Sequence, residues 1–188
     1  MYPRLYEPYG GVYPNYYFWS GYYYSDPRLY YYGYSHDSWH QEQNEETRNI
    51  TLQDYGDKPF VVDIEDAAEQ NRNYRLTLWT GSHLQVTLMS LMPGEDIGLE
   101  AHPNVDQFLR IQEGRGLVQM GNAQNNLYFE QQVGDDYAIM VPAGMWHNLT
   151  NTGNKPLKLY SIYAPVEHPF GTVHETKQAA QAAEASHT

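Results

Sequence analysis

Between residues 74 and 163 the chain repeats one pattern: a short run of β-forming residues, then a turn signal, with no helical period between them. The runs are 74–80, 83–91, 98–102, 107–112, 116–121, 127–133, 137–141, 148–151 and 157–163. Pro93-Gly94, Glu113-Gly114, Gly121-Asn122, Gly134-Asp135, Ala143-Gly144 and Thr152-Gly153 separate several of them. Gly supplies positive φ at turns, and Asn and Asp bond to nearby backbone, so these pairs end strands. So many short strands without crossover helices predict an antiparallel sandwich or barrel, an all-β domain. Phe60-Val61-Val62 adds a short strand before it. Residues 63–71 read as a short helix with Ala67 and Ala68 inside. Residues 174–186, rich in Ala, read as an exposed C-terminal helix.

The first 49 residues are unlike the rest. Thirteen of the 19 Tyr lie in residues 1–40, among Pro3, Pro8, Pro14, Pro27 and Gly10, Gly11, Gly21, Gly33. Aliphatic residues are almost missing there, and no period of 2 or 3.6 persists. This stretch is expected to be a disordered or extended low-complexity tail. Residues 41–49 are a polar linker. The expected division is therefore a tail and linker over 1–49, a β-domain over 50–173 and a helical tail over 174–188. Tyr joins a large ring to a hydroxyl, so such a tail suits self-association or a partner in a surface layer, or packing on its own domain.

Composition removes several classes of function. The 188 residues carry 23 acidic against 11 basic groups, a net charge of −12. That charge disfavours nucleic acid and anionic membrane surfaces as partners. The absence of Cys excludes disulfides, thiolate metal sites and thiol catalysis. No apolar run approaches the roughly 18 residues of a membrane span. No apolar secretion-signal region is visible either, so a cytoplasmic location is one expectation.

Two segments concentrate the chemistry. The first is Pro93-Gly94, five residues, Glu100-Ala101-His102, four residues, Gln107, six residues, Gly114. The second is Gly134-Asp135, then Pro142-Ala143-Gly144-Met145-Trp146-His147, three residues, Asn151. In a strand, positions two apart face the same side, so Glu100 and His102 point together. Gln107 arrives on the next strand and His147 after the Pro142-Ala143-Gly144 turn.

This pair of segments resembles the two motifs of the cupin family: Gly, five residues, His-x-His, three or four residues, Glu, six residues, Gly; then Gly, five residues, Pro-x-Gly, two residues, His, three residues, Asn. The resemblance covers about residues 75–165 and implies a double-stranded β-helix, the jelly-roll barrel. It also implies a divalent metal, Mn, Fe, Co, Ni or Zn, held at Glu100, His102, Gln107 and His147. Glu100 stands where the family has its first His, and Gln107 where it has Glu. The six-residue spacing to Gly114 selects Gln107 over Asp106. The exchanged set keeps a total charge of about −1 and mixes N and O donors. A metal-free pocket using Glu100 with a His as acid and base, and a purely structural barrel, are the other readings of the same residues.

The family spans metal-dependent dioxygenases, decarboxylases and isomerases as well as binding and storage proteins, so fold alone does not choose a reaction. The whole chain is also similar to small single-domain cupins of endospore-forming bacteria labelled mannose-6-phosphate-isomerase-like, and its tail is similar in composition to spore coat proteins. These resemblances imply a small polar ligand, a homodimer and coat or surface-layer partners. Outside the motifs, His168 and His174 read as surface or interface residues, His83 as a core or exposed residue, Trp146 as a pocket-mouth residue and Trp79 as core. Arg110, three residues after Gln107, falls on the opposite strand face and reads as an ion-pair or interface residue.

Overall fold

A computed structural model describes residues 49–186, within one compact unit, Glu45–Thr188. The expected Tyr-rich tail lies outside the described residues, as does all of the linker but Asn49. The elements in chain order are α1 (Ile64–Gln70), β1 (Arg75–Thr80), β2 (Gln85–Leu91), β3 (Asp106–Glu113), β4 (Gly116–Gly121), β5 (Phe129–Val133), β6 (Ala138–Val141), β7 (Trp146–Asn151), β8 (Leu157–Ala164), β9 (Val173–His174) and α2 (Lys177–Ala185). Six strands form one antiparallel sheet in the order β6-β3-β8-β2-β1-β9, and three form a second in the order β5-β4-β7. The expected all-β jelly roll is the observed architecture.

Period-2 alternation decides what lies between the sheets. Met89, Leu91, Leu109, Ile111, Leu157 and Leu159 of the large sheet meet Val118, Val133 and Leu149 of the small one in a single core. Farther along the same strands the inward positions turn polar: Arg75, Thr87, Gln107, Ser161 and Tyr163 are all buried. Thr87 and Ser161 satisfy each other at 2.8 Å. The barrel thus has an apolar end and a polar end. On the outside, Ala67 and Ala68 of α1 cover Leu76, Leu78 and Leu88. Asp63 caps that helix by accepting from the backbone N–H groups of Glu65 and Asp66.

Five local expectations change. Residues 60–62 are not a strand: Phe60 stacks on Tyr55 at 3.9 Å, Val61 is exposed, and α1 begins two residues later. Residues 98–102 form no strand either. A left-handed Gly98 (φ 91) and Pro103 bracket a segment that pairs with β7 only through Glu100. Trp79 is half-buried rather than core, because β1 shifts register between Thr77 and Trp79 and turns the indole to the surface, where Nε1 donates to the Lys58 carbonyl. The C-terminal helix starts at Lys177 behind its Thr176 cap, since His174 is held in β9. That helix is also docked: Ala180 joins the core and Lys177 pairs with Asp96 at 2.8 Å.

Candidate metal centre

The two motif segments meet through the backbone first. Glu100 and His147 exchange both of their N–H···O bonds, at 3.1 and 2.9 Å. The His102 carbonyl accepts from the N–H of Gly144, whose φ of 77° suits glycine and closes the Pro142-Ala143-Gly144 turn. Asp106 is outside the site, and its carboxylate accepts from the Ala143 N–H of that turn. The turn chemistry therefore sets the distance between His102 and His147.

The side chains then converge. Glu100 Oε1 lies 3.3 Å from His102 Nε2 and 3.6 Å from His147 Nε2. One ligand atom each from Glu100, His102 and His147 falls within 4.8 Å of the others. Both imidazoles are pinned from behind. His147 Nδ1 lies 2.9 Å from the Met145 carbonyl, which can only accept, so Nδ1 carries a proton. His102 Nδ1 lies 3.0 Å from Glu167 Oε1. Each ring thus turns Nε2 toward the same carboxylate oxygen. His147 Nε2 is buried and makes no hydrogen bond among the described residues.

Gln107 lies on the inward face of β3 and is buried, with neither amide atom hydrogen-bonded among the described residues. It stands opposite Tyr163 in the β3–β8 ladder, and the Tyr163 ring sits edge-on to His102. The polar end of the barrel therefore holds Glu100, His102 and His147 as the tight cluster, with Gln107 linked to it through Tyr163.

Charge in this site is strongly organised. Burial opposes ionisation of Glu100, but His102, His147 and Arg75 outweigh it and hold the carboxyl at about 2. Burial likewise opposes charge on His102, but Glu100 and Glu167, one on each ring nitrogen, push it up to about 9. Burial drives His168 the other way, with Arg75 adding to it, down to about 3.

Three contributors escaped the motif reading. Arg75, with a side chain 2% exposed, places Nη2 4.0 Å from Glu100 Oε2 and Nη1 3.3 Å from Glu184 Oε1. Its signal was the alternation Arg75, Thr77 against Leu76, Leu78: the polar face of β1 is the one that enters the barrel. Glu167 and His168 lie in the segment after β8. His168, expected at a surface or interface, is half-buried within this chain. The Gln85 side chain bonds both the N–H and the carbonyl of His168, at 2.9 Å each, and folds this segment across the polar end. The His168 ring then packs edge-on to Tyr163. His174 is half-buried, with Nδ1 inside. Trp146 does not line the pocket mouth: it alternates with buried His147 along β7 and takes the opposite face. His83 is exposed, and Arg110 pairs with Asp136 on the outer side of β3.

Residues 87–163 match the cupin domain model, a span that holds Glu100, His102, Gln107 and His147 but neither Arg75 nor Glu167. The chain is 68% identical over 139 residues to the uncharacterized protein YrkC of Bacillus subtilis, covering 74% of this chain and 75% of that one. It is 37% identical over 115 residues to the uncharacterized protein L612 of Acanthamoeba polyphaga mimivirus, covering 61% and 70%. The crystal structure of BH2720 from Bacillus halodurans superposes with a TM-score of 0.69 at 67% identity, over 70% of this chain and 99% of that one. Sequence, fold and the placement of both motifs agree: the chain belongs to the cupin family.

Proposed function

We propose that Glu100, His102 and His147 hold a divalent metal ion and that the barrel there binds or acts on a small polar molecule. The observation that carries this reading is the pinning of both imidazoles at Nδ1. It leaves two Nε2 atoms and a carboxylate oxygen, all electron-pair donors when the rings are neutral, turned toward one another. Such a grouping is repulsive unless a cation or a proton sits among it. The unpaired Gln107 amide supplies a fourth oxygen donor, or a hydrogen-bond partner for a ligand. Two imidazoles with oxygen donors and no thiolate suit Mn, Fe, Co, Ni or Zn. When bound, such an ion would act as a Lewis acid on a carbonyl or phosphoryl oxygen. Glu167 and the Met145 carbonyl would orient the rings, and Arg75 would hold Glu100 ionised.

Elemental analysis of protein purified without a metal-affinity column tests this. Near-stoichiometric metal that vanishes in His147→Ala is expected. No metal in either protein, even after incubation with excess Mn, Fe, Ni or Zn, would overturn the reading.

A second role rests on tail composition. Thirteen Tyr among Pro and Gly in residues 1–40 favour adhesion to coat or surface-layer proteins, with the barrel as a homodimeric module. Deleting residues 1–45 should abolish incorporation into such a layer and leave metal binding intact.

A further inference from the structure

The guanidinium of Arg75 has two sides. One faces Glu100. The other lines a separate cavity of about 280 Å³ between the segment after β8, strand β9 and helix α2. His168, Thr172, His174, Ala183 and Glu184 also line it. Three of these residues carry a buried nitrogen with no hydrogen-bond partner among the described residues: Arg75 Nε, His168 Nε2 and His174 Nδ1. The single acidic group in the lining, Glu184, is engaged with Arg75 Nη1.

Buried N–H groups are almost always paired, so three unpaired nitrogens around one cavity call for an acceptor. Arg75 Nε is always a donor. Each imidazole can place its proton on the unpaired nitrogen and donate from there. A ligand that brings lone pairs satisfies all three nitrogens at once. It must also suit a fixed guanidinium charge between two rings that burial keeps neutral. Water has about 30 Å³ per molecule in the liquid, so the cavity takes a molecule of at most about nine heavy atoms. A carboxylate meets each requirement, because its two oxygens can accept from Arg75 Nε and from both imidazoles.

We propose that this cavity is a binding site for a small carboxylate anion, held by Arg75 Nε, His168 Nε2 and His174 Nδ1. None of these atoms belongs to the Glu100–His102–His147 cluster, so the anion needs no metal to bind, although Arg75 also faces Glu100.

Acetate is the probe. Full-length protein, treated with a chelator and exchanged into chloride at constant ionic strength, is titrated with sodium acetate. The amide NMR signals of Val173, His174 and Ala183 are followed. Saturable shifts that chloride does not produce are expected. Ala183→Leu fills the cavity and leaves all three nitrogens in place, and it should weaken acetate binding by at least about tenfold. His174→Phe, which removes one donor, should weaken it by about tenfold. It serves as the deciding variant where Ala183→Leu does not give a folded spectrum. A linear response matching that of chloride, or affinity within about twofold of wild type in the deciding folded variant, would overturn the site in favour of a water-filled void.

Discussion

Glu167 Oε1 lies 3.0 Å from His102 Nδ1, on the side of the ring away from Glu100. A carboxylate behind a metal-facing imidazole fixes its tautomer and raises its basicity. Glu167→Gln keeps the size of the side chain and removes the charge. Metal affinity, measured by chelator competition, should fall by about 10- to 100-fold. The unfolding midpoint of the metal-free protein should move less than that of a Glu100 variant, because Glu100 faces Arg75 and both imidazoles whereas Glu167 faces His102.

Arg75 separates a buried charge from its two unequal partners. Its side chain is 2% exposed, and those of Glu100 and Glu184 are 21% and 63% exposed. Glu100→Ala removes the inner partner and leaves a desolvated guanidinium with the solvated Glu184 as its remaining ion-pair partner. Urea unfolding of the metal-free protein should show a loss of about 3–5 kcal/mol. Glu184→Ala removes a well-solvated partner and should cost below about 1 kcal/mol. Equal losses would mean that Glu100 does not balance Arg75.

Stability of the metal-free protein should peak near pH 6.5. The His102 pKa is raised from 6.5 to about 9, so its stabilisation is full below 6.5 and is lost as pH rises through 9. The His168 pKa is lowered from 6.5 to about 3, so its contribution is full above 6.5 and is lost as pH falls through 3. Glu100, lowered from 4.5 to about 2, steepens the acid side below 4.5. Urea midpoints across pH 4 to 9.5 should trace this dome. His102→Gln should flatten the alkaline limb and leave the acid limb in place.

Gln107 tests whether the site serves the fold or a ligand. Both amide atoms are buried and unpaired. Gln107→Leu removes that cost at similar volume and should stabilise the metal-free protein by about 1–2 kcal/mol. The same change should weaken metal retention during dialysis. A destabilised variant would show that the amide is satisfied within the fold.

Local chemistry made much of this legible in the sequence. Turn pairs and period-2 runs predict the antiparallel architecture, and Asp63 marks the start of α1. The spacing of Glu100, His102, Gln107 and His147 resembles the paired cupin motifs, so these residues could be singled out without coordinates even though residues 98–102 form no strand. Local pattern misplaced Trp79, because a register shift within β1 depends on how β2 pairs with it. It made residues 98–102 a strand, because only the fold shows that a single residue there finds a partner.

The environment of the site was decided by tertiary structure. Alternation marked Arg75 as lying on the polar face of β1, but which face enters the barrel depends on how six strands close against three. Glu167 and His168 looked like a surface loop. They become part of the site because Gln85, more than 80 residues away in the chain, clamps the His168 backbone. The sequence by itself determined which side chains could act as ligands, through spacings of a few residues. Only long-range closure decided which charges surround those ligands, because Coulomb energy and desolvation follow distance in space and not along the chain.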